Sequence, residues 1–253
     1  MGIGAACAGA FARRGARLIL TARSAEALEE VRRWVAPAEA AALPADLGDP
    51  QAVAKLAERA AACYGGVDVL VNNAGVGMYR SCLQAEPAVV RALLEVNWFA
   101  PVELTRRLLP AMRRRRSGTI VNVSSVAGKV PLPWLTVYSA SKAALNYWSE
   151  GLRMELAGSG VHVMLVCPGF VSTGFSDHAL SGRLPASLSG WRPFAITAEQ
   201  CAEAIVGGVE KDRRTVVTPR VAWLLVAASR LFPGPVHAQL ARMRAPGENP
   251  ACT

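Results

Sequence analysis

Tyr138, Ser139, Ala140, Ser141 and Lys142 run consecutively, and Ser125 lies thirteen residues ahead of Tyr138. A Tyr and a Lys four positions apart share one face of a helix, with Cβ atoms about 5–6 Å apart. A free phenol has a pKa near ~10, so at neutral pH it is a poor base. A neighbouring ammonium favours the phenolate and lowers that value, each unit reflecting about 1.4 kcal/mol between the two protonation states. A phenol tuned in this way can pass a proton to or from a substrate oxygen. A serine hydroxyl facing the same point can hold that oxygen by hydrogen bonding. The chemistry is proton transfer on and off an alcohol or a carbonyl. The plain alternative is an accidental pair on a helix surface. Random placement of four tyrosines and four lysines in this chain yields about 0.06 Tyr-x-x-x-Lys pairs, so the surroundings must decide.

Those surroundings are specific. Ile120-Val121-Asn122-Val123-Ser124-Ser125 precedes the pair, and Asn72-Asn73-Ala74-Gly75 lies further upstream. With these motifs the sequence resembles the short-chain dehydrogenase/reductase family from Gly2 to about Pro219. The wording around Ser125 and Tyr138 is most similar to the branch that includes hydroxysteroid and retinoid dehydrogenases. The resemblance implies an α/β fold, a doubly wound parallel sheet of Rossmann type with helices on both faces. It implies that Tyr138 gives or takes the proton, and that Lys142 lowers its pKa and contacts the nicotinamide ribose. Ser125, selected over Ser124 by the family's spacing, polarises the substrate oxygen. Asn97 kinks its helix and links the lysine to solvent through a water. Pro168 and Gly169 sit beneath the nicotinamide, with a main-chain group near Val171 and the Thr173 side chain meeting its carboxamide. By the same resemblance the small-residue face of the Tyr138 helix, with Ser139, Ala140, Ser141, Ala143 and Ala144, joins a four-helix interface, which implies a homodimer or homotetramer.

The totals agree with one such domain. The chain has 253 residues, 52% of them apolar, with no apolar run of the ~18–20 residues that a membrane span needs. Six cysteines lack C-x-x-C spacing and read as reduced thiols, and three histidines share no metal-ligand spacing, so no metal is expected. No basic, apolar and small-residue leader pattern opens the sequence, and the expectation is a cytoplasmic protein. The net charge of +9 could serve nucleic acid, but the arginines are spread along the chain. The one basic run, Arg113 to Arg116, falls where it complements a helix dipole. Nucleic acid is not an expected partner.

Along the chain, short β-rich runs alternate with longer Ala/Leu-patterned segments, the βαβ rhythm of a covered parallel sheet. Gly2-Ile3-Gly4 leads into a helix-like run. These three residues match the last part of the family's glycine-rich turn, where a helix N-terminus faces a pyrophosphate. The strand, Thr and first Gly that the family places before them are not in the sequence, which would leave two neighbouring strands unpaired. A start assigned too late is the expected cause, with a true truncation as the alternative. After the next strand, Arg17 to Ala22, come Arg23 and Ser24, and no acid lies between Arg17 and Ala25. An arginine there accommodates a 2′-phosphate where an acid would bind a free ribose hydroxyl, which favours NADP(H) over NAD(H). The local alternative is a solvated Arg23 beside a Ser24 helix cap. Asp46 reads either as the family's adenine contact or as a turn residue ahead of the helix opened by Asp49-Pro50. Asn73, Ala74 and Gly75 end a buried strand with small residues that let a ligand approach the backbone.

Residues 170–196 lack periodicity and carry Phe175, Trp191 and Phe194, which reads as a lid over an apolar substrate. The domain is expected over residues 1–219. An apolar and basic extension follows over 220–253, with packing on protein as its default role and peripheral membrane contact through 220–244 as the minority one. The function expected is NADP(H)-dependent interconversion of an alcohol and a carbonyl on an apolar, steroid-, retinoid- or lipid-like molecule. A catalytically silent binding or scaffold relative is the alternative.

Overall fold

The structure, a computed structural model, describes residues 2–184 and 194–242. Residues 185–193, and with them Trp191 and the middle of the expected lid, lie outside the described residues, as does the tail beyond residue 242.

Strands and helices alternate as the sequence rhythm predicts. The first elements are α1 (Ile3–Ala12), β1 (Leu18–Leu20), α2 (Ala25–Trp34), β2 (Ala40–Ala42), α3 (Pro50–Ala62) and β3 (Val69–Asn72). Next come α4 (Pro87–Leu94), α5 (Ala100–Arg115), β4 (Gly118–Val123), α6 (Thr136–Glu155) and β5 (Val161–Pro168). The short strands β6 (Val171–Ser172) and β7 (Ile196–Thr197) lead to α7 (Ala198–Val209), β8 (Thr215–Thr218), α8 (Ala222–Leu231) and α9 (Pro233–Ala241). Local chemistry sets several boundaries. Ser24 caps α2 through Ala27 N, Asp49 caps α3 with Pro50 in its first turn, and Thr197 and Gln200 form a capping box on α7. Arg116 closes α5 in the left-handed region behind three arginines in its last turn.

All sheet pairings are parallel. The core order is β3-β4-β5-β8, with Leu70 beside Ile120, Val121 beside Met164 and Val166 beside Val216. Side chains alternate across β4: Val121 and Val123 pack with α1 and α7, whereas Ile120 packs with Met112 and Leu152 from α5 and α6. Helices therefore cover both faces, which is why the central strands read as continuous apolar runs.

One departure from a continuous sheet stands out. β1 pairs with β2 alone, and β3 begins a separate sheet. Among the described residues no strand lies between β1 and β3. The facing edges, with Ile19, Val69 and Val71, line one cavity together with Phe11, Leu56 and Leu104. The edges remain open because each strand has hydrogen-bonding groups on two sides and a partner on one.

Close approaches pin the frame. A Cβ at Gly160, where φ is +80°, would stand 2.1 Å from the Arg116 carbonyl oxygen. We expect Gly160→Ala to lower stability by about 1–3 kcal/mol, read as a shift in the urea midpoint at unchanged slope. In native-state hydrogen exchange, the amides of Ile19 and Val69 should exchange at least about tenfold faster than that of Ile120, which lies inside the core sheet.

Candidate active site

The site forms where β4 ends against α6. Ser124 and Ser125 follow the strand, and the structure separates their roles. The Ser124 hydroxyl donates to the Lys142 carbonyl (3.0 Å), fastening strand to helix. Ser125 lines the cavity, its Oγ accepting from Ala127 N (3.1 Å), and it stands near enough to the Tyr138 phenol to oppose the rise in that phenol's pKa. Tyr138 and Lys142 are both buried on the inner face of α6. The Lys142 ammonium donates to the Val123 carbonyl (3.0 Å) and lies 5.9 Å from the centre of the Tyr138 ring.

Burial governs the electrostatics. It pushes the Tyr138 phenol well above its ordinary value of 10.0, with the Ser125 hydrogen bond opposing. It draws Lys142 down from 10.5 to about 8. The sequence reading had the ammonium lowering the phenol's pKa. In the structure desolvation is the largest influence on the phenol, and helical spacing carries no information about how deeply the pair is buried.

Asn97 lies in a single π-helical turn, Glu95–Phe99, between α4 and α5. This is the expected irregularity, and such turns often mark functional positions. Its Oδ1 accepts from Val76 N (2.8 Å), while Nδ2 donates to Val76 O (3.0 Å) and to Ser141 Oγ (3.1 Å). Ser141 in turn donates to the Tyr138 carbonyl (2.7 Å). Asn97 does not line the cavity. It clamps the loop after β3 onto the first turn of α6, so it is a positioning residue here. Gly75 fits between, since a Cβ there would stand 3.2 Å from Lys142 Nζ and 3.3 Å from Asn97 Oδ1.

The remaining expected residues converge on the same space, a cavity of about 1900 Å³. Gly2, Ile3 and Gly4 form its wall at the N-terminus of α1, and Arg23 and Asp46 stand beyond the ends of β1 and β2. Asn73, Ala74 and Gly75 follow β3, and Pro168, Gly169, Val171 and Thr173 close the far side. A Cβ at Gly2 would meet nothing within 4 Å, whereas one at Gly4 would stand 2.8 Å from Asn73 Nδ2. The wall there is bare backbone beside open space, which suits a pyrophosphate at a helix N-terminus. Ser24 is a correction, because it does not line the cavity. Its hydroxyl caps α2 and donates to Glu26 (2.9 Å), so it is engaged locally. Asp46 has a turn role, accepting from Gly48 N (2.9 Å). The Thr173 hydroxyl accepts from Phe175 N (3.4 Å).

Two aromatic residues escaped the sequence reading as parts of the site. Phe175 was expected as a lid anchor, yet its ring lies 5.8 Å from that of Tyr138. Tyr79 is buried beside it and hydrogen-bonded with Ser176. With Phe170, Leu132 and Leu135 they make the substrate end apolar. No spacing announces Tyr79, since the loop between β3 and α4 carries it there.

A family model described as short chain dehydrogenase matches residues 1–183. A relative from Bos taurus, Dehydrogenase/reductase SDR family member 7B, is 40% identical over 226 residues, covering 85% of this chain and 70% of its own length. A metagenomic short-chain oxidoreductase solved with NADP superposes with a TM-score of 0.72 at 35% identity, covering 86% of this chain and 92% of its own. A short chain dehydrogenase/reductase from Burkholderia phymatum solved with NAD gives a TM-score of 0.81 at 26% identity, covering 98% and 93%.

The Lys142 shift has a measurable consequence. Its amine is charged below about pH 8 when folded and below 10.5 when unfolded. Between those values the unfolded chain binds more protons, so this group's contribution to stability rises with pH. Relative to Lys142→Met, the unaltered chain should gain about 1 kcal/mol in urea unfolding between pH 7.5 and 9. A constant difference would contradict the burial of the charged form.

Proposed function

The chain belongs to the short-chain dehydrogenase family, an oxidoreductase family acting on alcohol and carbonyl groups, and from that premise we propose an NADP(H)-dependent alcohol dehydrogenase/carbonyl reductase with an apolar substrate. The observation that carries this reading is the meeting of Ser125 with the buried Tyr138 and Lys142 in the cavity that the α1 N-terminus also walls.

When bound, the nicotinamide cofactor supplies or accepts the hydride, and the rest falls to this chain's residues. The Ser125 hydroxyl donates to the substrate oxygen and fixes it beside Tyr138. In reduction, the Tyr138 phenol gives its proton to that oxygen as negative charge develops there. In oxidation the phenolate takes the proton back. Burial keeps the phenol protonated, which is the form needed for reduction. Lys142, held by the Val123 carbonyl, stabilises the phenolate left after transfer. Asn97 keeps the loop after β3 and the first turn of α6 in register. Gly2, Ile3 and Gly4 would hold the pyrophosphate, and Arg23 the 2′-phosphate. Phe175, Tyr79 and Phe170 would wall in a steroid-, retinoid- or lipid-like molecule and exclude water from the proton transfer.

The outward face of α6 carries Ala140, Ala143, Tyr147 and Met154, with Tyr147 80% exposed. Ala140, Ala143 and Ala144 belong to the face that the reading gives to a homodimer or homotetramer, whereas Ser139 and Ser141, also expected there, are buried.

The rival reading is a catalytically silent binding or scaffold protein. NADPH fluorescence and turnover separate the two. Tyr138→Phe should reduce NADPH-dependent carbonyl reduction by about 10²–10⁴-fold while leaving NADPH affinity within a factor of about three. Retained turnover would exclude the proton-transfer role, and failure of the unaltered chain to bind NADPH would favour the rival. Arg23→Asp should lower kcat/KM with NADPH by roughly 10- to 100-fold, corresponding to one lost charge-assisted hydrogen bond, and leave NADH turnover nearly unchanged.

A further inference from the structure

The cavity lined by Tyr138 extends to exposed residues of α8. α8 is anchored by its inner side, where Val226 and Leu225 pack with Val126, Leu165 and Val217. That anchoring turns Leu224 and Leu231 outward, 70% and 72% exposed, with Phe232 behind them at 63%. Leu224 and Val221 are exposed and also line the Tyr138 cavity, so the apolar strip and the cavity mouth are continuous.

Charge decides what would cover this strip. From Arg213 to Arg242 the sequence carries five arginines and no aspartate or glutamate. Arg220 and Arg230 are exposed at the two ends of α8, and Lys129 stands over the Trp223 ring at 5.9 Å. An apolar helical strip that Arg220, Arg230 and Lys129 border among the described residues, with an aromatic ring at its edge, fits an anionic phospholipid surface. There the side chains enter the acyl boundary and the arginines meet headgroups. Among the described residues no helix is long and apolar enough to cross a membrane, so contact would be at the surface.

We propose that α8 and the corner at Phe232 dock on an anionic phospholipid bilayer with the cavity mouth facing it, so that the apolar substrate enters from the lipid. The docking stands on the surface itself; the entry of substrate rests on the function proposed above.

The test is flotation of the full chain with phosphatidylcholine vesicles, with and without phosphatidylglycerol at about a third of the lipid. The expected result is co-flotation with the anionic vesicles that falls by about tenfold or more on reversing two charges, Arg220→Glu with Arg230→Glu. Leu224→Ser with Leu231→Ser should lower it similarly. Both pairs alter exposed side chains, and an unchanged thermal midpoint confirms folding. Tyr138→Phe should float like the unaltered chain, which separates docking from catalysis. Equal flotation of the unaltered chain and both double variants would overturn the proposal. So would loss of a dimer in Leu224→Ser with Leu231→Ser without any vesicle binding, since a second copy would then be the occupant.

Discussion

The site depends on keeping an ammonium in a place where water does not reach. Lys142 is buried, and among the described residues its ammonium donates to the Val123 carbonyl. Burying a charge is expensive unless it is compensated, and here the cost shows in the amine's lowered proton affinity. The arrangement persists because α6 is tied to β4 at several points. Ser124 donates to the Lys142 carbonyl, Asn146 to the Gly128 carbonyl, and Asn122 to Ser149. Each tie lies within two turns of the catalytic pair, so the helix can neither rotate nor slide without breaking buried hydrogen bonds.

The same economy extends to the opposite wall. The π-helical turn at Asn97 interrupts the α4–α5 pattern and turns one amide side chain onto Val76 and Ser141. One polar residue thereby satisfies a loop and the start of α6 together. Asn72 continues this buried framework by donating to Asn122 Oδ1 (2.8 Å). Polar groups so placed specify one alignment of strand, helix and loop, which an apolar core of equal volume would leave less determined.

The residues proposed for proton transfer, for cofactor binding and for the apolar wall line one continuous cavity. Its inner part runs between the unpaired edges of β1 and β3, and its outer part reaches Leu224 on α8. Catalytic geometry is confined to the better-connected half, where β4 and β5 each have two strand neighbours. The half that would hold the adenosine end rests on β1 and β2, a pair of three-residue strands.

Much of this was legible in the chain itself. Apolar runs and intervening amphipathic segments set the order of strands and helices, because periodicity follows directly from backbone geometry. Caps such as Ser24, Asp49 and Thr197 were readable for the same local reason. The Tyr138–Lys142 spacing placed both groups on one helical face, and the family resemblance pointed to Ser125 thirteen residues ahead. What the tertiary structure alone decided is how deeply that face is buried, and so the direction of the Tyr138 shift. It also decided that Tyr79 joins Phe175 beside the phenol. Those outcomes depend on which distant segments pack together and exclude water, and no local spacing encodes that.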